Sequence, residues 1–343
     1  MTRPAPDSST RPADSAATLH CGALTLEDVP ALTALLNTVD VHDELGEPVE
    51  EPSIREWLQM PRLDLAEDAV AVRAGEQIVG FGLVTVSAHP DRDGRARVQL
   101  SGAVHPEHRR QGIGTSILEL LEARGSSLAA QRHPGLPAVL RTSGGRDPEP
   151  DAGPGGADIR PVLERRGYRR VRSWLEMERE LPGPALELPA PEGARILAPA
   201  PEQSEAVRLA HVAAFADHWG SAPIDAETWQ LWTTSHTSRP EHSTIALAPD
   251  GIVLAYAVTS EDRPGVLHVA LVGTRPEARG RGLARAVLAR TLASGAEAGF
   301  TAAVLEVDAE SLTGATRLYE DVGFERAHVY ATYEKPVGRP GTC

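Results

Sequence analysis

Two stretches of this 343-residue chain carry one arrangement of basic residues and glycines. Val104-His105-Pro106-Glu107-His108-Arg109-Arg110-Gln111-Gly112-Ile113-Gly114 recurs 170 positions later as Thr274-Arg275-Pro276-Glu277-Ala278-Arg279-Gly280-Arg281-Gly282-Leu283-Ala284. Each copy follows an apolar run of strand type and opens a long amphipathic stretch. Strand, basic Gly-rich turn and helix together make an anion seat. Successive backbone N–H groups point into the turn, glycine lets a ligand approach the main chain, and arginine adds charge-assisted bonds to phosphate oxygens. One copy alone reads equally well as a turn with solvated arginines. Two copies in matching context point to a phosphate cradle in each of two related domains. Neither turn ends in Gly-Lys-Ser/Thr, which argues against a nucleotide phosphotransferase.

The elements around the turns repeat in the same order. In the first half, a capping box at Thr25 and Asp28 opens a helix carrying Val29, Leu32, Leu35 and Leu36 at helical spacing. A short helix is expected over 53–60, strands over 69–73, 78–86, 98–104 and 138–141, and a helix over 112–123. A polar Gly/Pro stretch, 143–156, precedes a further helix, and 171–179 reads as the strand closing this half. The second half is expected to hold strands over 194–198, 244–248, 252–259, 266–273, 302–307 and 327–334. Its helices are expected over 202–215, 227–232, 282–293 and 312–322. The resulting organisation is a disordered tail over 1–18, a domain over 19–181, a linker over 182–192 and a second domain over 193–337. Pro182, Pro184, Pro189 and Pro191 make the linker semi-rigid.

Composition narrows the function. A hydrophobic fraction of 41% and a charged fraction of 24% are those of a globular chain. A net charge of −14 speaks against nucleic-acid binding and suits a cationic substrate. No apolar run is long enough to span a bilayer, so no membrane partner is expected. Cys21 and Cys343 cannot form a disulfide framework or a metal cluster, and a cytoplasmic location without a metal is the plain expectation.

With these residues in view, the chain resembles the GNAT superfamily of N-acetyltransferases. Arg109-x-x-Gly112-x-Gly114 and Arg279-x-x-Gly282-x-Ala284 are similar to its acyl-CoA signature. Leu305-Glu306-Val307-Asp308-Ala309-Glu310-Ser311, then Gly314-Ala315, Leu318-Tyr319 and Gly323-Phe324, resemble its later motif, with Ser311 where the family most often has Asn. The tandem arrangement is similar to that of the mycothiol synthase family. The resemblance implies an α/β (α+β) fold: two tandem domains, each a mixed, largely antiparallel sheet flanked by helices. It implies acetyl-CoA as co-substrate and direct attack by a small-molecule primary amine in a ternary complex, in a monomer or homodimer. The cofactor would lie on Val272, Gly273, Thr274, Arg279, Gly280, Arg281, Gly282, Leu283, Ala284 and Ser311. In the first half its counterparts are Val104, Arg109, Arg110, Gln111, Gly112, Ile113 and Gly114. The splayed strand segments beside pantetheine would be 102–104 and 272–274, with their amide groups polarising the acetyl carbonyl. Mycothiol synthase itself, and a non-catalytic acyl-CoA-binding regulator, are the alternatives.

The halves differ in their ionisable groups. Tyr319 stands four residues before Gly323-Phe324, where the family keeps the acid that protonates the leaving thiolate, although a packing role is also open to it. A phenol is suited to that step because its ordinary pKa of ~10 lies just above a thiol's ~8.5. The same count from Gly167-Tyr168 reaches Leu163, and Tyr168 is the only tyrosine of the first half. The second domain is therefore expected to be the catalyst and the first to be degenerate. The base is open among Asp217, His218, Glu306 and His268. Trp219, Trp229 and Trp232 either wall the acceptor pocket or pack against the sheet.

Overall fold

In the computed structural model, residues 19–147, 158–184, 186, 191–311 and 314–338 are described. The expected tail over 1–18, Cys343 and much of the Pro-rich linker lie outside them. The first half runs β1 (Leu19–Gly22), α1 (Val29–Asp43), α2 (Glu51–Leu58), α3 (Leu65–Asp68), β2 (Ala69–Ala74), β3 (Gln77–Val86), β4 (Ala96–Val104), α4 (Ile113–Arg132), β5 (Ala138–Arg146), α5 (Arg160–Arg165) and β6 (Arg169–Glu180). The second runs β7 (Arg195–Leu197), α6 (Ser204–Ala214), α7 (Ala226–Thr234), β8 (Thr244–Leu247), β9 (Val253–Arg263), β10 (Val266–Thr274), α8 (Leu283–Ala298), β11 (Ala302–Asp308), α9 (Ala315–Asp321) and β12 (Glu325–Pro336).

Among the described residues the strands form one 12-stranded sheet in the order β1-β2-β3-β4-β5-β12-β6-β11-β10-β9-β8-β7. Its ladders are antiparallel except β4·β5 and β10·β11. The fold is thus mixed α/β and largely antiparallel, as the resemblance implies. Apolar residues alternate along β3 so that Val79 and Val84 pack with α4, whereas Ile78, Phe81 and Leu83 pack with α1 and α2. In the second half, α8 covers Leu267, Val269 and Leu305, and α6 covers Tyr256 and Ile245 on the other face.

One expectation is corrected. The strand expected to close the first half's own sheet, β6, pairs instead with β11 and β12. In exchange β12, from the end of the chain, pairs with β5. Each half lends its last strand to the other, so the N–H and C=O groups on both open edges are paired in one central ladder. Two other elements outrun their expected ends through glycine. α4 continues past 123 because Gly125 lies flat on β4, where a Cβ would come within 2.6 Å of Val98. β5 continues through 143–146, within the Gly-rich stretch read as a connection, because Gly144 makes room for the Tyr333 ring, 2.6 Å from where a Cβ would stand.

The exchange ties the halves independently of the linker. A protease site introduced within 185–190 and then cut should leave two fragments that co-elute in size-exclusion chromatography and unfold in one transition. Separation of the fragments without denaturant would contradict the exchanged sheet.

Candidate active site

Both basic turns take the backbone geometry an anion needs. Gly280 and Gly282 adopt φ +76 each, and Gly112 adopts φ +86. Arg110 is forced to φ +62 at the position Gly280 fills in the other copy. That left-handed conformation costs an L-residue roughly 1–2 kcal/mol, which glycine avoids. α4 and α8 start at Ile113 and Leu283 with Gly112 and Gly282 as N-caps and no side-chain cap. The first N–H groups of both helices therefore face the turn, where the helix dipole favours negative charge.

The leading arginines do something the sequence reading did not assign. Arg109 grips Asp43 through two hydrogen bonds of 2.7 Å, and Arg279 grips Asp217 at 2.6 and 3.0 Å. Arg279 also donates to the Ala214 carbonyl at 2.9 Å, and Arg109 to that of Val104 at 3.1 Å. Each fork ties a phosphate turn to the end of the first helix of its own half. The Arg279 hydrogen bond holds the Asp217 carboxyl below its ordinary range. Burial alone would raise Asp43, but the Arg109 and His42 bonds outweigh it and lower it. Arg281 donates to the Glu192 carbonyl at 2.8 Å and Gln111 to that of Glu107 at 3.3 Å. His218 bonds the Trp219 carbonyl at 3.0 Å and lies 5.1 Å from the Phe215 ring. Ser311 donates its N–H to Asp308 in the turn after β11, at 3.0 Å.

The two parallel ladders are short. β10 pairs with β11 only from Val266 to His268 against Ala302 to Val304, yet β10 continues to Thr274 and β11 to Asp308. The strands diverge beyond His268, leaving their main-chain groups unpaired along the gap. A cavity of about 320 Å³ opens there, lined by His268 and Glu306, by Asp262 and Arg263 of β9, by Glu176 of β6 and by Glu47 of the first half. Asp262 accepts from His268 Nδ1 at 2.7 Å and from the Ser260 hydroxyl at 2.7 Å. Burial would raise Asp262, but these bonds and the His268 charge hold it down to about 2. An ionised carboxylate can only accept, so Nδ1 carries the proton and Nε2 is the basic nitrogen. Glu306 is the exposed residue of β11, and partial desolvation of its carboxyl against the cavity walls raises it, aided by Glu47, Glu176 and Asp262 and opposed by His268. His268 and Glu306 thus share a cavity, whereas Asp217 and His218 lie at the turn.

Tyr319 is 7% exposed on α9, in the cluster of Leu283, Val287 and Leu305, with its ring edge-on to Phe324. Burial pushes its phenol well up, so it carries its proton at neutral pH. Its charge would be felt by Tyr256, whose hydroxyl lies against Gly273 on the splayed part of β10. The tryptophans do not line the cavity. Trp229 is buried and donates to Ser204 at 3.0 Å, Trp232 is exposed, and Trp219 packs between Arg141 and Arg172, 4.3 and 5.0 Å from its ring centre.

Comparison with known proteins agrees with this geometry. The sequence profile described as "Acetyltransferase (GNAT) family" matches residues 33–135 and 205–324. The chain belongs to the GNAT acetyltransferase family. A mycothiol acetyltransferase of Salinispora arenicola (strain CNS-205) is 31% identical over 267 residues, covering 74% of this chain and 78% of that one. A GCN5-related N-acetyltransferase from Sphaerobacter thermophilus superposes with a TM-score of 0.71 at 27% identity, covering 94% and 96% of the two chains. A tandem GNAT protein from the clavulanic acid biosynthesis pathway shares the fold with a TM-score of 0.66 at 17% identity, covering 94% of this chain and 100% of that one. The protein is a tandem GNAT acetyltransferase of the mycothiol synthase type, and the family's acyl donor is a CoA thioester. An acyl-CoA-binding regulator is not favoured.

Superposing the two GNAT ladders shows what the first half lacks. Gly273 lies opposite Tyr256 as Ala103 lies opposite Phe81. Following both ladders back, and allowing for the β-bulge between His268 and Leu271, His268 takes the place of Gln99. Glu306, opposite Glu176, takes the place of Ser143, which is opposite Thr332. Tyr319 takes the place of Leu163. Where the second GNAT half has its cavity, the first has Arg141 bound to Glu334 at 2.5 Å under the Trp219 ring.

Asp217→Asn separates anchoring from base chemistry. Loosening the fork on Arg279 should raise the KM for the acyl-CoA several-fold and leave kcat at saturation within about twofold. A fall in kcat of a hundredfold with unchanged KM would instead make Asp217 the base.

Proposed function

We propose that the second half transfers the acetyl group of acetyl-CoA to the primary amine of a small, cationic acceptor, with His268 as base and Tyr319 as acid. One observation carries this reading. His268, oriented by Asp262, and Glu306 meet in one cavity at the point where β10 and β11 part. A cavity of about 320 Å³ is of the size that takes a small molecule. Its four carboxylates against one arginine favour an ammonium, and Glu47 and Glu176 bring the first half into acceptor binding. The turn at Arg279–Gly282 and the start of α8 suit the CoA phosphates through main-chain N–H groups, and the corresponding turn at Arg109–Gly112 suits them equally. The first half serves as a structural and substrate-side partner without the ionisable groups for turnover.

The chemistry follows from the placement. The ammonium gives a proton to His268 Nε2, directly or through one water, and the Asp262 carboxylate steadies the imidazolium that forms. The amine nitrogen bonds to the acetyl carbon while N–H groups of 272–274 on the side away from β9 take up charge growing on the carbonyl oxygen. The carbon–sulfur bond breaks and Tyr319 gives its proton to the departing thiolate. Burial keeps the phenol protonated until the thiolate forms but makes it a weaker acid, so the transfer must be concerted with carbon–sulfur cleavage.

Tyr319→Phe should lower kcat at least tenfold, and His268→Gln, the first half's residue, about a hundredfold, in an assay of thiol release with an amine panel. Undiminished turnover in either would remove that residue from its role. The acceptor amine of the mycothiol acetyltransferases belongs at the head of the panel, because relatives so named cover most of this chain.

Glu306→Gln should raise the KM for the acceptor and at the same time raise thermal stability. The folded pKa of Glu306 lies above its unfolded value, so the wild type loses stability as pH rises through the folded pKa. The gain in Tm from glutamine should therefore appear at pH 8 and vanish near pH 4. A loss of stability at pH 8 would show that the carboxylate is held by favourable contacts instead.

A further inference from the structure

One buried polar pair has no part in the chemistry above. Tyr256 on β9 is 0% exposed and His211 on α6 is 9% exposed. The phenol and His211 Nδ1 share a hydrogen bond of 2.7 Å. The imidazole is stacked on Phe215, 4.5 Å between centres, with Trp229 at 5.8 Å, so it has no room to turn away. Burial, with His218 nearby, pushes His211 down to about 4, which leaves it neutral at physiological pH. A polar pair enclosed in this way contributes little net stability. Two apolar residues of similar shape would serve the core as well.

The first half shows that such a replacement fits the fold. At the matching ladder positions it has Phe81 opposite Ala103, where the second half has Tyr256 opposite Gly273. The hydroxyl also dictates the glycine. A Cβ on residue 273 would stand 2.3 Å from the Tyr256 hydroxyl oxygen and 2.5 Å from the ring carbon bearing it. Hydroxyl, imidazole and glycine occur together only in the half that holds His268, Glu306 and Tyr319.

We propose that Tyr256, held by His211, is a positioning residue of the transfer reaction, its hydroxyl fixing the backbone of Gly273 where the splayed strand faces the acyl carbonyl. The inference rests on the second half being the catalytic one. The phenol acts as a rigid stop behind the strand. His211 sets its height, and the missing Cβ lets the main chain rest directly on the oxygen. Donors aimed at a developing charge must be held to a fraction of an ångström, and a loose one forfeits most of its effect.

The test uses the full-length enzyme and three variants, read as kcat, KM for acetyl-CoA and Tm. Tyr256→Phe should lower kcat about tenfold with KM within twofold and Tm within a few degrees. Gly273→Ala should lose both Tm and turnover, because its Cβ strikes the phenol. Tyr256→Phe with Gly273→Ala recreates the first half's pair; freed from His211, the ring can shift off the added Cβ as Phe81 sits beside Ala103, so Tm should recover while kcat stays low. Wild-type kcat in Tyr256→Phe, or recovery of kcat together with Tm in the double variant, would reduce the pair to packing and overturn the inference. Tyr319→Phe and His268→Gln, measured alongside, distinguish this failure from that of the underlying reading. If both remain fully active, the catalytic assignment falls and takes the inference with it.

Discussion

The antiparallel ladder between β6 and β12 is the constraint on which the rest of the molecule depends. Arg169–Glu178 of one strand runs against Glu325–Glu334 of the other, and each strand's second edge is taken by the opposite half. Withdrawing either strand would strip hydrogen bonds from both of its neighbours in the interior of the sheet, where no water replaces them. Side chains follow the backbone across the seam. Trp174 donates to Thr332 at 2.8 Å, and Arg141 of β5 meets Glu334 of β12. The cavity is a product of the same exchange, since Glu176 reaches it on a strand the first half has lent. Tyr330, on the strand lent the other way, donates its one proton to Glu47 at 2.6 Å, and its hydroxyl also lies 3.1 Å from Glu176. The cavity is therefore built jointly by the two halves.

That shared origin explains a local conflict. Glu306 and Glu176 stand directly opposite each other in the β11·β6 ladder, an arrangement that like charges normally avoid. Nothing in the packing demands two carboxylates there, and the first half has Ser143 and Thr332 at the matching places. A cation in the cavity would relieve that repulsion, so the proposed ammonium would bind against strain that its absence leaves. Asp262 is treated differently: two donors satisfy it, and it stays ionised to hold one tautomer of His268. One carboxylate orients the His268 imidazole while the others give the cavity its negative charge.

How much of this the sequence disclosed depended on how local each feature is. The two turns, the helices they open and most strands were legible because glycine, arginine and apolar spacing act over a dozen residues. Tyr319, Glu306 and His268 could be nominated from motif and strand position. The exchange of β6 and β12 was not legible, since alternation along a strand marks which face is buried and says nothing of which neighbour takes its edge. Asp217 is a base candidate by sequence, and the structure places it as an anchor on Arg279. A signal for that role was present: Asp43-x-x-Gly46 recurs as Asp217-x-x-Gly220, with both glycines left-handed at φ +69 and φ +62. A repeat outside the phosphate turn that includes an aspartate suggests a shared anchor, because it recurs in the half that has Leu163 where the other has Tyr319. His211 gave no signal, since its partner lies 45 positions away on another element.

The duplication thus divides into what both halves need and what one half uses. Both need a turn held to a helix end, and both have the Asp–Arg fork. Both need diverging parallel strands, and both ladders stop after a few pairs. The residues that would give or take protons do not recur: Gln99, Ser143 and Leu163 stand in the first half for His268, Glu306 and Tyr319. The space that a substrate would need is also filled there, by Trp219 from the other half stacked on Arg141. An abandoned site without a structural duty would tend to lose its geometry, since nothing would keep Arg110 in a backbone conformation that glycine adopts more readily. The first half keeps the geometry, and its face at Arg141 seats the loop that carries Trp219. It also holds Glu47 and Glu176 against the cavity of the second half.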